Sequence, residues 1–458
     1  MATSKLPILR RETTEPKTFN DAVWLRVFNH RRESSRIPRA VVNASSVEHV
    51  KAAVQLANQE GCRVSVRSGG HSWAVWSVRD DAILVDLGDF RFIEYDEKSK
   101  IVSCSPSTTS AELMEFLNAR GRFFATGHCG DVAMGGFLLG GGQGWNAKNW
   151  GHSIEQMVAI DVVTEDGNEI HCSAVENEEL FWLARGGGPG FPGIITSFSL
   201  QTRPFTAVYR TLLAWPVTEI PNVMNWVTKV CDEFDTDTEV SSFVLYPPGS
   251  PAPVVAALFI SLKGSVEEAK QALQSLKADQ PAGALIEEIA VPTSFKAEYA
   301  FQTSTLPDNY RYCVDSVWLS NDADLGALLA EPGRTIPGKT TTMLYQPITS
   351  SQRPVQGDPA FSLQTKHYVS LYCGWQNAAD DEEHIQWVDK TINSFKPHSV
   401  GSLLSDFDFQ RREAKHWSEE KGERIMALRR KYDPAGRFAG FLDAGDKSGL
   451  DGLRTNFQ

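Results

Sequence analysis

The first clear pattern of apolar and polar positions lies between residues 45 and 59, where small apolar side chains recur at helical intervals. Ser45 and Glu48 have the spacing of a capping box, and Gly61 supplies a stop signal. The apolar segment 62–66 follows at once and predicts a strand. A helix that leads into a strand in this way indicates the start of a β-α-β unit.

Short elements continue up to residue 201. Alternating and apolar runs predict strands at 82–87, 100–105, 157–163, 169–173 and 194–201, and helical periodicity predicts helices at 110–120 and 176–184. The Asp166-Gly167 pair between two of these strands predicts a hairpin. The first half of the chain therefore mixes helices and strands.

The pattern changes after Arg203-Pro204, where the glycine clusters end. Strands are predicted at 208–213, 240–245, 254–262 and 367–375, helices at 219–235, 265–277, 382–395 and 419–432, and a long polar loop at 349–359. This order is typical of an α+β unit with an antiparallel sheet.

Composition narrows the class of protein. The 458 residues are 41% hydrophobic and carry a net charge of −12, which argues against a nucleic-acid surface. Seven cysteines without C-x-x-C spacing indicate neither a zinc site nor a disulfide framework, and we predict no metal. The N-terminal residues lack a signal-peptide core, and no apolar run reaches membrane-spanning length. We therefore expect a cytoplasmic protein with no membrane partner.

The candidate chemistry begins in a polar loop between two predicted strands, Arg67-Ser68-Gly69-Gly70-His71-Ser72. Two glycines allow main-chain N–H groups to approach a phosphate as a nest of donors, and Arg67 is expected to add positive charge. A Gly-Gly-His sequence between strands is more often only a turn. The loop alone therefore does not decide the function.

A second stretch, residues 127–144, has a density of glycine far above average usage. Such density suits a main chain pressed along a large flat or phosphorylated ligand. Together, the RSGGHS loop and a G-x-C-x-x-V segment running into GGxxxGGGxG resemble the FAD-linked oxidases of the vanillyl-alcohol-oxidase superfamily, in the berberine-bridge-enzyme-like branch. The resemblance covers residues 35–205 and 400–440 best.

This resemblance implies an α+β fold class with a two-part FAD-binding domain of the p-cresol-methylhydroxylase (PCMH) type and an inserted α+β substrate domain that contains an antiparallel sheet. The expected parts are 1–205 for the FAD-binding domain, 206–400 for the substrate domain and 401–458 for the C-terminal return to the FAD-binding domain.

The resemblance also implies FAD bound covalently through the 8α-methyl to His71, with a second bond from C6 to Cys129 in many members. The alternative interpretation is that Cys129 is only a small buried apolar residue without a bond to the cofactor. The cofactor-binding residues expected on this basis are Arg67, Ser68, Gly69, Gly70, His71, Ser72, Cys129, Val132, Gly135, Gly136, Gly140, Gly141, Gly142, Gly144 and Ile194.

A flavin accepts hydride at N5, so the protein has to place the substrate and remove a proton. Sugar-oxidising relatives carry Tyr-Tyr-Gly-x-Asn before the last helix, where this chain has Trp417-Ser418. The loss of both tyrosines favours a resemblance to the members that oxidise amines or alkaloids. Tyr368 and Tyr372 are four residues apart on one strand and share a face, whereas Trp375 points the other way. The polar candidates are Tyr310, Tyr345, Tyr368, Tyr372, Asp406 and Asp408, of which Tyr368, Tyr372 and Asp406 are the predicted catalytic set.

The family resemblance also assigns the position of Met134 to a gate over flavin C4a, where small or valine side chains suit oxidases and Leu or Ile suits dehydrogenases. The function predicted is an FAD-dependent oxidase of a small hydrophobic, aromatic or alkaloid-like metabolite, with hydride transfer to N5 and O2 as acceptor. An oligosaccharide oxidase, a flavin dehydrogenase with another acceptor and a non-catalytic nucleotide-binding protein are the alternatives.

Overall fold

A computed structural model describes residues 6–32, 36–232, 236–273, 279–348, 356–408, 411–412 and 414–440. Its helices are α1 Pro16–Trp24, α2 Val47–Glu60, α3 Ser110–Asn118, α4 Met134–Leu139, α5 Ala147–Trp150, α6 Glu178–Ala184, α7 Ile220–Val230, α8 Val266–Ala272, α9 Phe295–Thr305, α10 Leu325–Arg334, α11 Asp381–Phe395 and α12 Glu419–Tyr432. None of the described helices is both long and apolar enough to cross a membrane.

The strands divide the described residues into four sheets. They are β1 Ile8–Arg10, β2 Ala40–Asn43, β3 Val64–Arg67, β4 Ile83–Asp86, β5 Ile93–Asp96, β6 Ile101–Cys104, β7 Arg122–Phe123, β8 Met157–Val163, β9 Glu169–Ser173, β10 Ile194–Gln201, β11 Arg203–Pro204, β12 Ala207–Pro216, β13 Thr238–Leu245, β14 Val254–Lys263, β15 Ile286–Thr293, β16 Arg311–Leu319, β17 Thr342–Pro347, β18 His367–Trp375 and β19 Ser399–Gly401. The fold is thus a mixed α+β fold, as predicted.

The first sheet contains the predicted β-α-β unit. Its strand order is β1-β2-β4-β3, with β4 parallel to both β2 and β3. Helix α2 is capped by Ser46, one residue later than predicted, because the Ser46 side chain accepts from the His49 N–H. Gly61 ends the helix in the left-handed conformation with φ 63°, which a residue without a Cβ adopts without strain.

Two contacts connect this sheet to the end of the described chain. The Val64 N–H donates to the Arg437 carbonyl at 2.7 Å, and the Ala439 N–H donates to the Val64 carbonyl at 2.8 Å. The segment after α12 therefore lies along β3, beside the strand that leads into the RSGGHS loop. A second sheet, β5-β6-β10-β8-β9, is antiparallel and includes the predicted β8–β9 hairpin.

The largest sheet is the predicted antiparallel one, with eight strands in the order β15-β12-β14-β13-β17-β18-β16-β19. One face packs against α7, α10 and α11 in an apolar core. The opposite face carries Phe243, Leu344 and Tyr368, which pack with side chains of residues before 205. This face becomes one wall of the candidate site.

Some predicted elements differ from the observed ones. Helix α4 lies inside the glycine-rich stretch, where no helix was predicted. Its buried residues Met134 and Leu138 pack in one core with residues of β6 and α3, and this packing stabilises the helix. The predicted helices 219–235 and 265–277 are observed as α7 and α8, and residues 233–235 and 274–278 lie outside the described residues. Most of the predicted loop 349–359 also lies outside them.

Candidate active site

The loop at residues 68–72 presents a row of main-chain donors. Within the described part of the chain, none of its five N–H groups donates a hydrogen bond to another group. Successive N–H groups without an acceptor in the fold form a concave site for an anion. The loop therefore has five main-chain donors available to a ligand, and the phosphate nest stays a prediction.

The N-terminal segment holds this loop in place. Gly70 has φ 79°, and a Cβ there would lie 2.0 Å from the Arg26 carbonyl oxygen. The Phe28 N–H donates to the Gly70 carbonyl at 3.0 Å. A Cβ on Gly69 would lie 2.6 Å from the Ala133 Cβ. The two glycines thus permit close contact between protein segments, in addition to freeing the loop amides.

Arg67 differs from its predicted role. Its guanidinium is buried and donates to the Asp86 carboxylate at 2.9 Å through Nε and 2.5 Å through Nη2, and to the Ala22 and Val23 carbonyls. Burial lowers the pKa of Arg67, while Asp86 opposes that shift. The prediction that the Arg67 charge faces a phosphate is therefore wrong, since alternation along β3 directs the side chain into the fold.

His71 is held by rings and by a carboxylate. Its imidazole stacks on Phe28 with centroids 4.0 Å apart and planes at 21°, and meets the Trp73 ring edge-on at 5.3 Å. The Nε2 atom lies 3.4 Å from Oδ2 of Asp131. Burial raises the pKa of Asp131, but the adjacent His71 outweighs it and leaves the pKa below its ordinary value. The imidazole therefore faces an anionic carboxylate.

The second glycine-rich stretch meets the first at this point. A Cβ on Gly135 would lie 2.8 Å from the Ser68 hydroxyl oxygen, so these two chain segments touch. Gly136 is exposed, its N–H has no acceptor among the described residues, and a Cβ there would meet no atom within 4 Å. Gly136 is thus the glycine of this stretch that faces open space.

Three of the predicted cofactor glycines do not line that space. Gly141, Gly142 and Gly144 would each bring a Cβ against other parts of the protein. The nearest atoms belong to Phe361, Ser153 and the Ala125 carbonyl, at 2.6, 2.8 and 2.2 Å respectively. Their prediction as cofactor-binding residues is corrected, because tight packing between chain segments accounts for the absence of side chains.

The two stretches line one large cavity, whose space free of protein atoms, open mouth included, is about 2180 Å³. Twelve of the fifteen predicted cofactor residues contribute to its wall: Arg67, Ser68, Gly69, Gly70, His71, Ser72, Cys129, Val132, Gly135, Gly136, Gly140 and Ile194. Burial, with Asp131 and Asp406 nearby, raises the pKa of the Cys129 thiol. That thiol is therefore protonated at neutral pH.

The predicted catalytic residues also meet at this cavity. The Tyr368 and Tyr372 hydroxyls each donate to Oδ2 of Asp406 at 2.7 Å, and the Trp73 indole N–H donates to Oδ1 at 3.4 Å. Burial, followed by the Asp406 charge, raises the pKa of both tyrosines well above the ordinary value. The tyrosines are therefore neutral donors, and Oδ1 is the carboxylate oxygen with the weaker partner.

The other polar candidates lie elsewhere. Tyr345 points to the opposite face of the sheet, where its hydroxyl lies 3.0 Å from His367 Nδ1. Asp408 is buried and forms an ion pair with Arg31. Tyr310 packs beside Phe28 and its neighbours but does not line the cavity. Strand alternation explains why Tyr345 points away from the cavity, since its neighbours Leu344 and Gln346 face the cavity.

Two further expectations are changed by burial. Met134 is fully buried in the core and does not line the cavity, so its assignment as the gate residue is wrong. Val132, two residues earlier, lines it instead. Trp417 is buried and donates to the Gly186 carbonyl at 2.8 Å, so the position of the sugar-oxidase tyrosines holds a structural side chain here.

Sequence reasoning missed several residues of the cavity wall. Gln346 accepts a hydrogen bond at 2.6 Å from Gln143, and both residues line the cavity. Trp73 lines it as well and bonds to Asp406. Gln346 pairs directly with Tyr368 across β17 and β18, so alternation would have placed it on the catalytic face once that pairing was known.

Comparison with known proteins identifies the family of this chain. A family described as an FAD binding domain matches residues 38–173. The FAD-linked oxidoreductase ptmO of Penicillium ochrochloron is 37% identical over 413 residues, which is 90% of this chain and 92% of that protein. The chain belongs to the FAD-linked oxidoreductases. A xylooligosaccharide oxidase of Thermothelomyces thermophilus is 33% identical over 46% of this chain and 42% of its own.

Solved structures of flavin oxidases, berberine bridge enzyme among them, share the fold. The 6-hydroxy-D-nicotine oxidase of Arthrobacter nicotinovorans has a TM-score of 0.81 at 20% identity, covering 96% of this chain and 98% of that chain. A variant of berberine bridge enzyme has a TM-score of 0.80 at 18% identity, covering 93% and 94%. The PCMH-type fold of this FAD-linked oxidoreductase is thereby confirmed.

FAD fits the residues of the cavity. The unpaired amides of residues 68–72 suit the pyrophosphate, and the open space at Gly136 admits a flat group beside α4. His71 and Cys129 line the same cavity. When bound, FAD supplies a two-electron acceptor.

Proposed function

We propose that this FAD-linked oxidoreductase is an oxidase that removes hydride from a small hydrophobic, aromatic or alkaloid-like metabolite, with FAD bound covalently through His71. The observation that carries the proposal is the position of Asp406, which joins two tyrosines on the wall of the cavity that also contains His71 and Cys129. A proton acceptor and the cofactor residues therefore border one space.

Asp406 is the proposed proton acceptor. Because both tyrosines donate to Oδ2, they hold the carboxylate in one orientation, and Oδ1 accepts only the longer bond from Trp73 within the described chain. A substrate O–H or N–H can donate to Oδ1 as hydride leaves the adjacent carbon. Tyr368 and Tyr372 orient the carboxylate and stay protonated.

The substrate class follows from the walls. The cavity side of the large sheet presents Phe243, Leu258 and Leu344, and Trp73 and Leu306 face it from other segments. Apolar walls with a few placed polar groups suit a hydrophobic ligand. The relation to 6-hydroxy-D-nicotine oxidase, named for an aromatic compound, agrees with this class. The buried Trp417 gives no support to a sugar-oxidase mechanism.

Val132 supports the choice of O2 as acceptor. It is the side chain of this segment that lines the cavity, and valine is the residue type that the family resemblance associates with oxidases. Purified protein should release hydrogen peroxide in step with substrate oxidation. Substrate-dependent flavin bleaching that persists in air without peroxide would instead identify a dehydrogenase.

The substrate proposal is tested by flavin bleaching under nitrogen. Benzylic amines and benzylic alcohols should bleach the flavin, whereas xylobiose should not. Bleaching by xylobiose alone would replace the proposal with the oligosaccharide oxidase.

Covalent attachment is tested by intact mass. The denatured protein should keep the added mass of one FAD, and His71→Ala should lose it while Cys129→Ala retains it. A change of the visible spectrum in Cys129→Ala would indicate a second bond at C6. Wild-type protein whose denatured chain has the bare mass would contradict covalent binding through His71.

A further inference from the structure

The carboxylate beside His71 has no role in the proposed oxidation. Asp131 lies 3.4 Å from His71 Nε2. It stands between Cys129 and Val132, which both line the cavity. Its side chain is half exposed, so it is not required to fill the core. We propose that Asp131 is the base that prepares His71 for covalent attachment of FAD, an inference that rests on the proposed covalent link.

Attachment requires one imidazole nitrogen with an available lone pair and loss of the proton from the other nitrogen. Because Nε2 faces Asp131, Nε2 carries the proton and Nδ1 carries the lone pair. The proximity of His71 keeps the pKa of Asp131 low even though burial raises it. A carboxylate is therefore in place to receive the Nε2 proton as Nδ1 forms its bond.

The step balances with dioxygen as the oxidant. The Nδ1–C8α bond forms and one C8α–H bond breaks, with the C8α proton passing to water and the Nε2 proton to Asp131. The two electrons released pass through the isoalloxazine to O2. Together with two protons they yield hydrogen peroxide, and the attached cofactor is again oxidised.

The remaining contacts of His71 favour this geometry. Phe28 stacks on the imidazole at 4.0 Å, and Trp73 meets its edge at 5.3 Å. The Phe28 N–H donates to the carbonyl of Gly70, the residue before His71, so the stacking ring and the loop are tied together. Phe28 is therefore a positioning residue, which limits rotation of the ring away from Asp131.

The experiment follows attachment directly. Full-length protein from riboflavin-starved cells is mixed with FAD in air, and the fraction carrying covalent FAD is measured over time by intact mass. Flavin fluorescence quenching measures reversible binding separately. Asp131→Asn should bind FAD reversibly like wild type and attach it about 10²-fold more slowly, the lower end for loss of general base catalysis. Asp131→Glu should restore part of the rate.

A matched control exists on the surface. Asp161 forms a similar carboxylate–imidazole pair with His171 at 2.7 Å, and neither residue lines the cavity. Asp161→Asn should therefore attach FAD at the wild-type rate. Phe28→Leu should slow attachment less than Asp131→Asn. If Asp131→Asn attaches FAD at the wild-type rate, the role of Asp131 is refuted but the covalent link is not. If the wild-type chain never gains the mass of FAD, the covalent link is refuted as well.

Discussion

Replacing Asp406 with asparagine tests the proposed chemistry most directly. The substitution keeps the size of the side chain and removes its charge. The carbonyl oxygen of the amide can still accept from Tyr368 and Tyr372, but Oδ1 becomes an NH2 group that cannot take a proton. The perturbation thus separates proton acceptance from the architecture of the site.

The structure sets the two magnitudes. A hydrogen bond to a charged acceptor contributes about 1.5–3 kcal/mol and one to a neutral acceptor about 1 kcal/mol. Each of the two tyrosine bonds therefore weakens by about 1 kcal/mol, and the free energy of unfolding falls by about 2 kcal/mol. Loss of a general base costs about 10²–10⁴ in rate, or roughly 3–5 kcal/mol. The variant should stay folded and become slow.

The assay is anaerobic rapid mixing with a substrate found in the bleaching screen, with flavin absorbance as the readout. Asp406→Asn should reduce its flavin at least about 10²-fold more slowly than wild type. Tyr310→Phe, which changes a tyrosine outside the cavity wall, should reduce at the wild-type rate. Tyr372→Phe should fall between the two, because the carboxylate remains but loses one orienting bond. Flavin reduction by Asp406→Asn at the wild-type rate would refute the assignment of the proton acceptor.

Four further predictions concern the glycine-rich segments and the core. Gly136→Ala should raise the unfolding free energy of the FAD-free protein by about 0.5–1 kcal/mol and lower FAD retention, because the new Cβ projects into the open cavity. Gly70→Ala should lower the soluble yield and the denaturation midpoint, because its Cβ would lie 2.0 Å from a carbonyl oxygen. Burial lowers the pKa of His416 to about 4, so the unfolded state binds a proton more readily than the folded state. The free energy of unfolding should therefore be highest above pH 6.5 and fall by about 2 kcal/mol between pH 7 and pH 5. His416→Gln should reduce that fall in urea titrations. Asp86→Asn leaves the buried Arg67 guanidinium without its counter-charge and should cost about 3–5 kcal/mol, and an unchanged urea midpoint would contradict this.

Local periodicity was sufficient for many elements. The bounds of β8, β9, β10, β18 and α12 agree with the predicted ranges, because their apolar spacing depends only on neighbouring residues. The same alternation placed Tyr368 and Tyr372 on one face and Trp375 on the other, and their hydrogen bonds to Asp406 and Asp381 agree. Helix α4 was missed because glycine lowers the helical signal that packing then overrides.

The family, the two glycine-rich segments and the residues proposed for cofactor attachment could all be predicted from the sequence, since contiguous motifs carry them. Which side chains reach the cavity depends on contacts between distant parts of the chain. Arg67 turns to Asp86, Met134 enters the core, and Gly144 relieves a contact with a carbonyl, because each direction depends on a segment distant in sequence. The meeting of Asp406 with Tyr368 has the same cause, since long-range packing and not local pattern brings those two parts of the chain within 2.7 Å.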